Sequence, residues 1–217
     1  MADERRAVLE AVHDHGHDTR SLVFRPDVPF AFRPGQFLSC LIPAGAQRLV
    51  RPYTIASSPE EPERLELLLN RVPHGPGSTW LFARRPGDAL AFTGPWGTFV
   101  LDAAPDAEAV FLAQDTGIAA IRPMLCRALA TARHPLRLVC AADHPIYRDE
   151  LTRLAGIDTS FVPTDALEPT VAARYLDADE DRTRHFFICG VGAVVTRLRD
   201  RLRAAGYARR AVQYEKW

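Results

Sequence analysis

The sequence is short of lysine and cysteine, has no excess of charge of either sign and has no long apolar run. Each shortage removes a class of explanation. Lys216 is the only lysine among the 27 Lys and Arg residues, so almost every cation is a guanidinium. Lys plus Arg equals Asp plus Glu at 27 each. A general nucleic-acid binder draws its affinity from neutralising phosphates and needs a surplus of cations, so none is expected here. No run of apolar residues is long enough to span a bilayer. The four cysteines (Cys40, Cys126, Cys140 and Cys189) are too dispersed for a zinc site or for the clustered thiolates of a plant-type iron–sulfur centre. Reduced thiols in a cytoplasmic protein are the simplest expectation. The charged start, Met1-Ala2-Asp3-Glu4-Arg5-Arg6, lacks the apolar core of a secretory signal. No G-x-S-x-G elbow or hydrolase triad is present.

What is there falls into two textures. From Arg6 to about Leu101, short alternating runs read as strands at 6–13, 19–25, 36–42, 48–56, 64–72, 88–93 and 98–101. Turn signals such as His15-Gly16-His17-Asp18, Arg33-Pro34-Gly35 and Pro86-Gly87-Asp88 separate them, and one helical turn interrupts the series near Ser78–Arg84. Many short strands without crossover helices predict an antiparallel β-barrel. After Ala103-Ala104-Pro105-Asp106 the pattern becomes strand–helix alternation. Strands are predicted at 109–115, 136–143, 159–165, 184–190 and 209–217, with helices over 117–131, 145–155, after Pro169 and over 193–206. This predicts an α/β domain with a five-stranded parallel sheet, Rossmann-like, covered by helices on both faces. The expected division is a barrel domain over residues 1–103 and an α/β domain over 104–217.

The stretch "RPYTIASSP" (51–59) puts a cation, a ring and a hydroxyl within four positions of one strand. Residues i and i+2 share a face about 6.6 Å apart, so Arg51 and Tyr53 lie side by side while Thr54 points the other way. A guanidinium offers a planar fork suited to phosphate, and a tyrosine ring offers a stacking surface. His13, His15 and His17 also alternate along one face, but they flank a Gly-Asp turn signal with no second ligand cluster and read as a solvated turn.

The chain resembles the ferredoxin–NADP reductase family of flavoproteins. The matching segments are Pro34-Gly35-Gln36-Phe37, Arg51-Pro52-Tyr53-Thr54, Gly75-Pro76-Gly77-Ser78-Thr79, Thr93-Gly94-Pro95-Trp96-Gly97-Thr98-Phe99, Thr116-Gly117-Ile118-Ala119, Cys189-Gly190 and Glu215-Lys216-Trp217. They occur in family order over nearly the whole chain. The resemblance implies that Arg51 holds the flavin phosphate, Tyr53 stacks on the isoalloxazine and the Thr54 hydroxyl bonds its N5. It implies that Gly77, Ser78 and Thr79 cradle a pyrophosphate at the opening of a short helix, which favours FAD over FMN. Taken singly, each piece has a plainer reading. Arg51 and Tyr53 would form an exposed cross-strand pair, and Ser78-Thr79 a simple helix cap.

In the second domain, Thr116 and Gly117 open a helix whose N–H groups can meet a nucleotide pyrophosphate. The family usually has two glycines before this Thr-Gly and a proline three residues after its glycine. Here Gln114, Asp115 and Ala120 stand at those positions, and Asp115 sets a carboxylate near an anion. "GVGAVV" (190–195) follows a strand and opens a helix like a dinucleotide fingerprint, but only one strand remains after it. The resemblance instead places Cys189 and Gly190 beside the nicotinamide, where the plainer reading of Cys189 is a buried strand-end thiol. It also places Trp217 over the flavin face opposite Tyr53, and Glu215 near Thr54 and Cys189 as a proton relay. A frayed tail would be the plainer reading of Trp217. Asp143 and Asp165 close the second and third parallel strands, and a carboxylate repels a 2′-phosphate but can bond a free ribose hydroxyl. NADH is therefore expected ahead of NADPH, with Arg122 and Arg148 as the cations that could still reach a phosphate.

The resemblance thus implies hydride transfer from NAD(P)H to FAD. Electrons would then pass to a separate ferredoxin, flavodoxin, cytochrome or oxygenase component, since no iron–sulfur module is visible in the sequence. The same motifs would also suit a flavin-holding electron-transfer subunit that binds no pyridine nucleotide, or a cofactor-free interaction module.

Overall fold

Two consecutive left-handed residues make the first hairpin. His17 (φ 49°) and Asp18 (φ 52°) both take positive φ, as a two-residue turn matched to strand twist requires. They join β1 (Arg5–Gly16) to β2 (Thr19–Pro26), and the flanking Gly16 and Thr19 pair across the turn. The computed structural model describes residues 3–177 and 179–217, so Met1 and Ala2 of the charged start lie outside the described residues. The chain divides into two units, Met1–Val100 and Leu101–Trp217.

The first unit continues with β3 (Phe37–Ala44), β4 (Gln47–Thr54), β5 (Leu65–Asn70), α1 (Pro76–Phe82) and β6 (Ala89–Trp96). The sheet order is β4-β3-β6-β1-β2-β5, and every pairing is antiparallel. An Ile55–Leu67 bridge and a 2.7 Å bond from the Ala56 N–H to the Glu66 carbonyl tie the two edges together, which makes the sheet barrel-like. Alternate residues of each strand fill the interior: Leu9, Leu22, Phe24, Leu38, Cys40, Ile42, Leu67 and Phe92 are buried in one cluster. Helix α1 begins two residues earlier than expected because Pro76 occupies its first turn, where a missing N–H costs nothing.

The strand expected over 98–101 is absent. Phe99 and Leu101 are buried, so the alternation there is real. It serves packing alone, because β6 ends at Trp96 and Gly97 turns the chain with φ 103°.

The second unit runs β7 (Ala109–Gln114), α2 (Ile118–Thr131), β8 (Leu136–Ala141), α3 (Arg148–Arg153), β9 (Ile157–Val162), α4 (Leu167–Tyr175), β10 (His185–Gly190), α5 (Ala193–Ala204) and β11 (Val212–Lys216). All strands are parallel, in the order β11-β10-β7-β8-β9. Val110, Leu112, Val139, Phe186 and Ile188 face Leu167, Val171, Leu198 and Leu202 of α4 and α5. The alternate residues Phe111 and Phe187 stack at 5.1 Å on the other face, and α2 packs against their strands. A strand covered on both sides must be apolar throughout, as β7 is from Ala109 to Ala113. Helix α4 starts two residues before Pro169, which its first turn tolerates. Strand β9 stops at Val162, so Thr164 and Asp165 stand in a 3-10 turn beyond it rather than in the strand. No helix among the described residues is long and apolar enough to cross a membrane.

Candidate functional site

In the first unit, the strand parity that fills the barrel also builds a wall. Arg51, opposite Cys40, and Tyr53, opposite Leu38, project on the same side of β4, and Tyr53 packs against the core cluster. Helix α1 closes on them. A Cβ added to Gly77 would lie 2.9 Å from Tyr53 Oη and 3.0 Å from Arg51 Cγ, so a side chain there would displace both. Ser78 is buried: its Oγ accepts the Val72 N–H at 3.0 Å and donates to the Gly75 carbonyl at 3.2 Å, which fixes the turn. Thr79 is exposed, and Thr54 is buried on the opposite side of β4. Arg51 donates to the Val50 carbonyl at 2.9 Å and has no carboxylate partner among the described residues. Burial, reinforced by the Cys40 thiol and opposed by Arg51, pushes the Tyr53 phenol up to about 12, so it stays a neutral ring. The residues fit a flavin: a guanidinium without a carboxylate partner among the described residues, a ring held by the core and a glycine turn form one surface. On the outer side of α1 lies a cleft of about 870 Å³ lined by Arg71, His74, Thr79, Trp80 and Arg84. Composition gave no hint of it, because its residues come from a loop and from the solvent face of a seven-residue helix.

In the second unit, chain order reverses between β7 and β10, and ligands of open α/β sheets bind beyond the strand ends at such a point. Here the backbones nearly touch. A Cβ on Gly117 would come within 2.2 Å of the Cys189 carbonyl oxygen, and one on Gly190 within 2.7 Å of Gln114 Cβ. Thr116 and Gly117 sit in a 3-10 turn, Asp115–Gly117, that leads into α2. Gln114 Oε1 is buried without a hydrogen-bond partner.

A cleft of about 690 Å³ opens beside it, lined by Gln114, Asp143, Thr164, Asp165, Glu168 and Arg197. The Thr164 N–H donates to Asp143 Oδ1 at 3.1 Å, and its hydroxyl donates to Asp115 Oδ1 at 3.3 Å. Burial pushes the Asp115 carboxyl above the usual range. The Thr164 bond opposes that shift and the nearby Asp143 adds to it. Of the two cations singled out from the sequence, Arg122 is bound to Glu150 at 2.7 Å and lies over Tyr147. Arg148 lies 4.4 Å over Phe161, in a groove shared with Asp143.

Cys189, Glu215 and Trp217 come together. Cys189 and Glu215 are register partners on β10 and β11. The tail is not frayed: the Trp217 N–H donates to the Gly190 carbonyl at 3.1 Å, and its carbonyl accepts the Gly192 N–H at 3.3 Å. Burial, reinforced by the Glu215 carboxylate and opposed by the Trp217 indole and the Gly190 backbone, pushes the Cys189 thiol up to about 12, so it stays protonated near neutral pH. Glu215 is half-buried with Oε2 unpartnered, and burial raises its carboxyl to about 7.

The oxidoreductase FAD-binding domain family matches residues 6–101. The chain is 32% identical over 241 aligned residues to ferredoxin–NADP reductase B of Sorangium cellulosum (strain So ce56), covering 100% of this chain and 99% of that one. The chain belongs to the ferredoxin–NADP reductase family. It is a flavoprotein reductase that uses FAD and a nicotinamide dinucleotide. It is also 31% identical over 219 residues to the ferredoxin reductase component of 3-ketosteroid-9-alpha-monooxygenase from Mycolicibacterium smegmatis (strain ATCC 700084 / mc(2)155). That match covers 92% of the reductase but 61% of the relative's length. The fold matches the ferredoxin reductase in carbazole 1,9a-dioxygenase with a TM-score of 0.83 at 22% identity, over 100% of this chain and 69% of that one.

The raised Glu215 carboxyl has a consequence for stability. The unfolded side chain ionises near 4.5 and the folded one near 7, so folding takes up a proton between these values. The contribution is fully present below pH 4.5 and is lost as pH rises through 7. Glu215→Gln is expected to flatten the fall in melting temperature between pH 5 and pH 8. An equal fall in variant and wild type would count against the buried carboxyl as its source.

Proposed function

We propose that this reductase draws hydride from NADH ahead of NADPH and passes electrons from its FAD to a separate cytoplasmic acceptor protein. The acceptor would be a ferredoxin, flavodoxin, cytochrome or oxygenase component. The observation that carries the preference is the charge of the cleft beyond β8 and β9. Asp143 and Asp165 line it, and its Arg197 is bound to Glu168 at 2.9 Å. A 2′-phosphate entering there meets carboxylates, whereas a free ribose hydroxyl can donate to them. The full-length relative is named for NADP, so this chain's own carboxylates set the expectation against that of its relative. The acceptor class follows the monooxygenase and dioxygenase systems named for its relatives.

Within residues 1–103, Arg51 grips the flavin phosphate, Tyr53 offers its ring to the isoalloxazine and the Thr54 hydroxyl bonds N5. Gly77, Ser78 and Thr79 take the pyrophosphate. Within 104–217, Thr116, Gly117 and Gly190 hold the nucleotide, and Asp143 and Asp165 read its ribose. Cys189, Glu215 and Trp217 serve the reacting end of the nicotinamide, with Glu215, poised near neutrality, as the proton carrier. Bound FAD supplies the exchange between hydride and single electrons.

Anaerobic NADH is expected to bleach the flavin absorbance of the purified protein at a higher kcat/KM than NADPH. Asp165→Arg should move the NADPH/NADH ratio of kcat/KM upward by roughly tenfold, since a carboxylate is exchanged for a phosphate-binding fork. A ratio that stays put would remove Asp165 from the specificity argument. Gly77→Ala should weaken FAD binding by about tenfold or more, because overpacking against Tyr53 and Arg51 costs ~1–3 kcal/mol. Fluorescence titration of the apoprotein with FAD measures it, and unchanged affinity would place the cofactor elsewhere.

A further inference from the structure

Asp115 is the first residue past β7, at the point where the sheet reverses its strand order. It opens the turn that leads into the 14-residue α2, where unpaired N–H groups and the helix dipole favour an anion. Its own carboxylate already stands in that field. The backbone does not ask for it: φ is +49°, a left-handed conformation that glycine adopts freely and an acidic residue adopts at a cost. The side chain is held in place by the Thr164 hydroxyl, whose backbone N–H binds Asp143 at the same time. One threonine therefore gathers two carboxylates from beyond the ends of β7 and β8, and Asp143, Thr164 and Asp165 line the cleft next to Asp115. None of these three has a cation partner among the described residues, while Arg197 and Arg201 are both bound to Glu168.

We propose that Asp115 sets the nucleotide affinity of this reductase by repelling the pyrophosphate that NADH and NADPH share, so that both bind more weakly than the fold would otherwise allow. This rests on the nucleotide cleft assigned above. It differs from the role of Asp165, which concerns the 2′-position and alters the ratio of the two nucleotides. Asp115 acts on what they have in common and leaves the ratio alone.

The test is isothermal titration of the FAD-loaded protein with NAD+ and with NADP+, for wild type, Asp115→Asn and Asp115→Gly, alongside melting temperatures. Asparagine keeps the size and the acceptor oxygen for Thr164, so it removes only the charge. Asp115→Asn is expected to tighten binding of both nucleotides by the same factor, roughly fivefold as for the loss of one like charge near a protein surface, and the gain should shrink in high salt. Asp115→Gly should bind at least as tightly and melt no lower than wild type, since glycine relieves the left-handed backbone. The role falls if Asp115→Asn leaves both dissociation constants unchanged. It falls as well if the gain is confined to NADP+, or if glycine tightens binding where asparagine does not, because space rather than charge would then be the cause. Binding by wild type with no change in Asp115→Asn overturns this inference and leaves the nucleotide cleft standing. Binding by none of the three proteins overturns both.

Discussion

The second unit depends on one close approach. Gly117, at the start of α2, lies so near the Cys189 carbonyl that no other residue fits there without moving backbone. That contact brings the helix start down between β7 and β10, where the sheet order reverses and a crevice must form. Much follows from it. Gln114 is pressed against Gly190, Cys189 is sealed from water, and β11 pairs with β10 as far as Trp217. Burial at this spot then sets the electrostatics: a thiol that does not ionise and a carboxyl that titrates near neutrality.

The first unit reaches a comparable result by the same means. Gly77 brings the start of α1 onto the side chains of a strand, so that a guanidinium, a ring and a helix turn share one surface. In both units the sheet supplies rigidity through its buried alternate residues, and a glycine lets a helix start come close enough to present backbone donors. The ring of Tyr53 is thereby fixed by the barrel core, while the Arg51 fork, bonded to the Val50 carbonyl, has no carboxylate partner among the described residues. The acidic character of the cleft beyond β8 and β9 is separate from this scaffold and comes from Asp143 and Asp165, with Asp115 tied to the lining Thr164 by one hydrogen bond.

Much of the fold was legible in the sequence because it rests on local periodicity. Alternation marked the six barrel strands, continuous apolar runs marked β7 and β10, and the turn signal at Gly16-His17-Asp18 marked the first hairpin. Where periodicity misled, a non-local partner was missing. Phe99 and Leu101 alternate as a strand would and are buried as a strand would be, yet no neighbour pairs with them as a strand. Helix α4 likewise begins before Pro169, because the first turn needs no N–H at that position.

For the site, the sequence by itself determined which chemistry is on offer and on which element it stands. The i, i+2 spacing puts Arg51 and Tyr53 on one side of a strand, and the order of motifs marks a flavoprotein reductase. Only the tertiary structure decided what those groups meet. That Thr164 binds Asp115 and Asp143 together, that Gln114 Oε1 is left without a partner and that Glu215 lies half-buried beside Cys189 depend on strand ends far apart in the chain. Periodicity fixes which way a side chain leaves its own element. The neighbours that bury, bond or charge it are set by strand order, which no local pattern encodes.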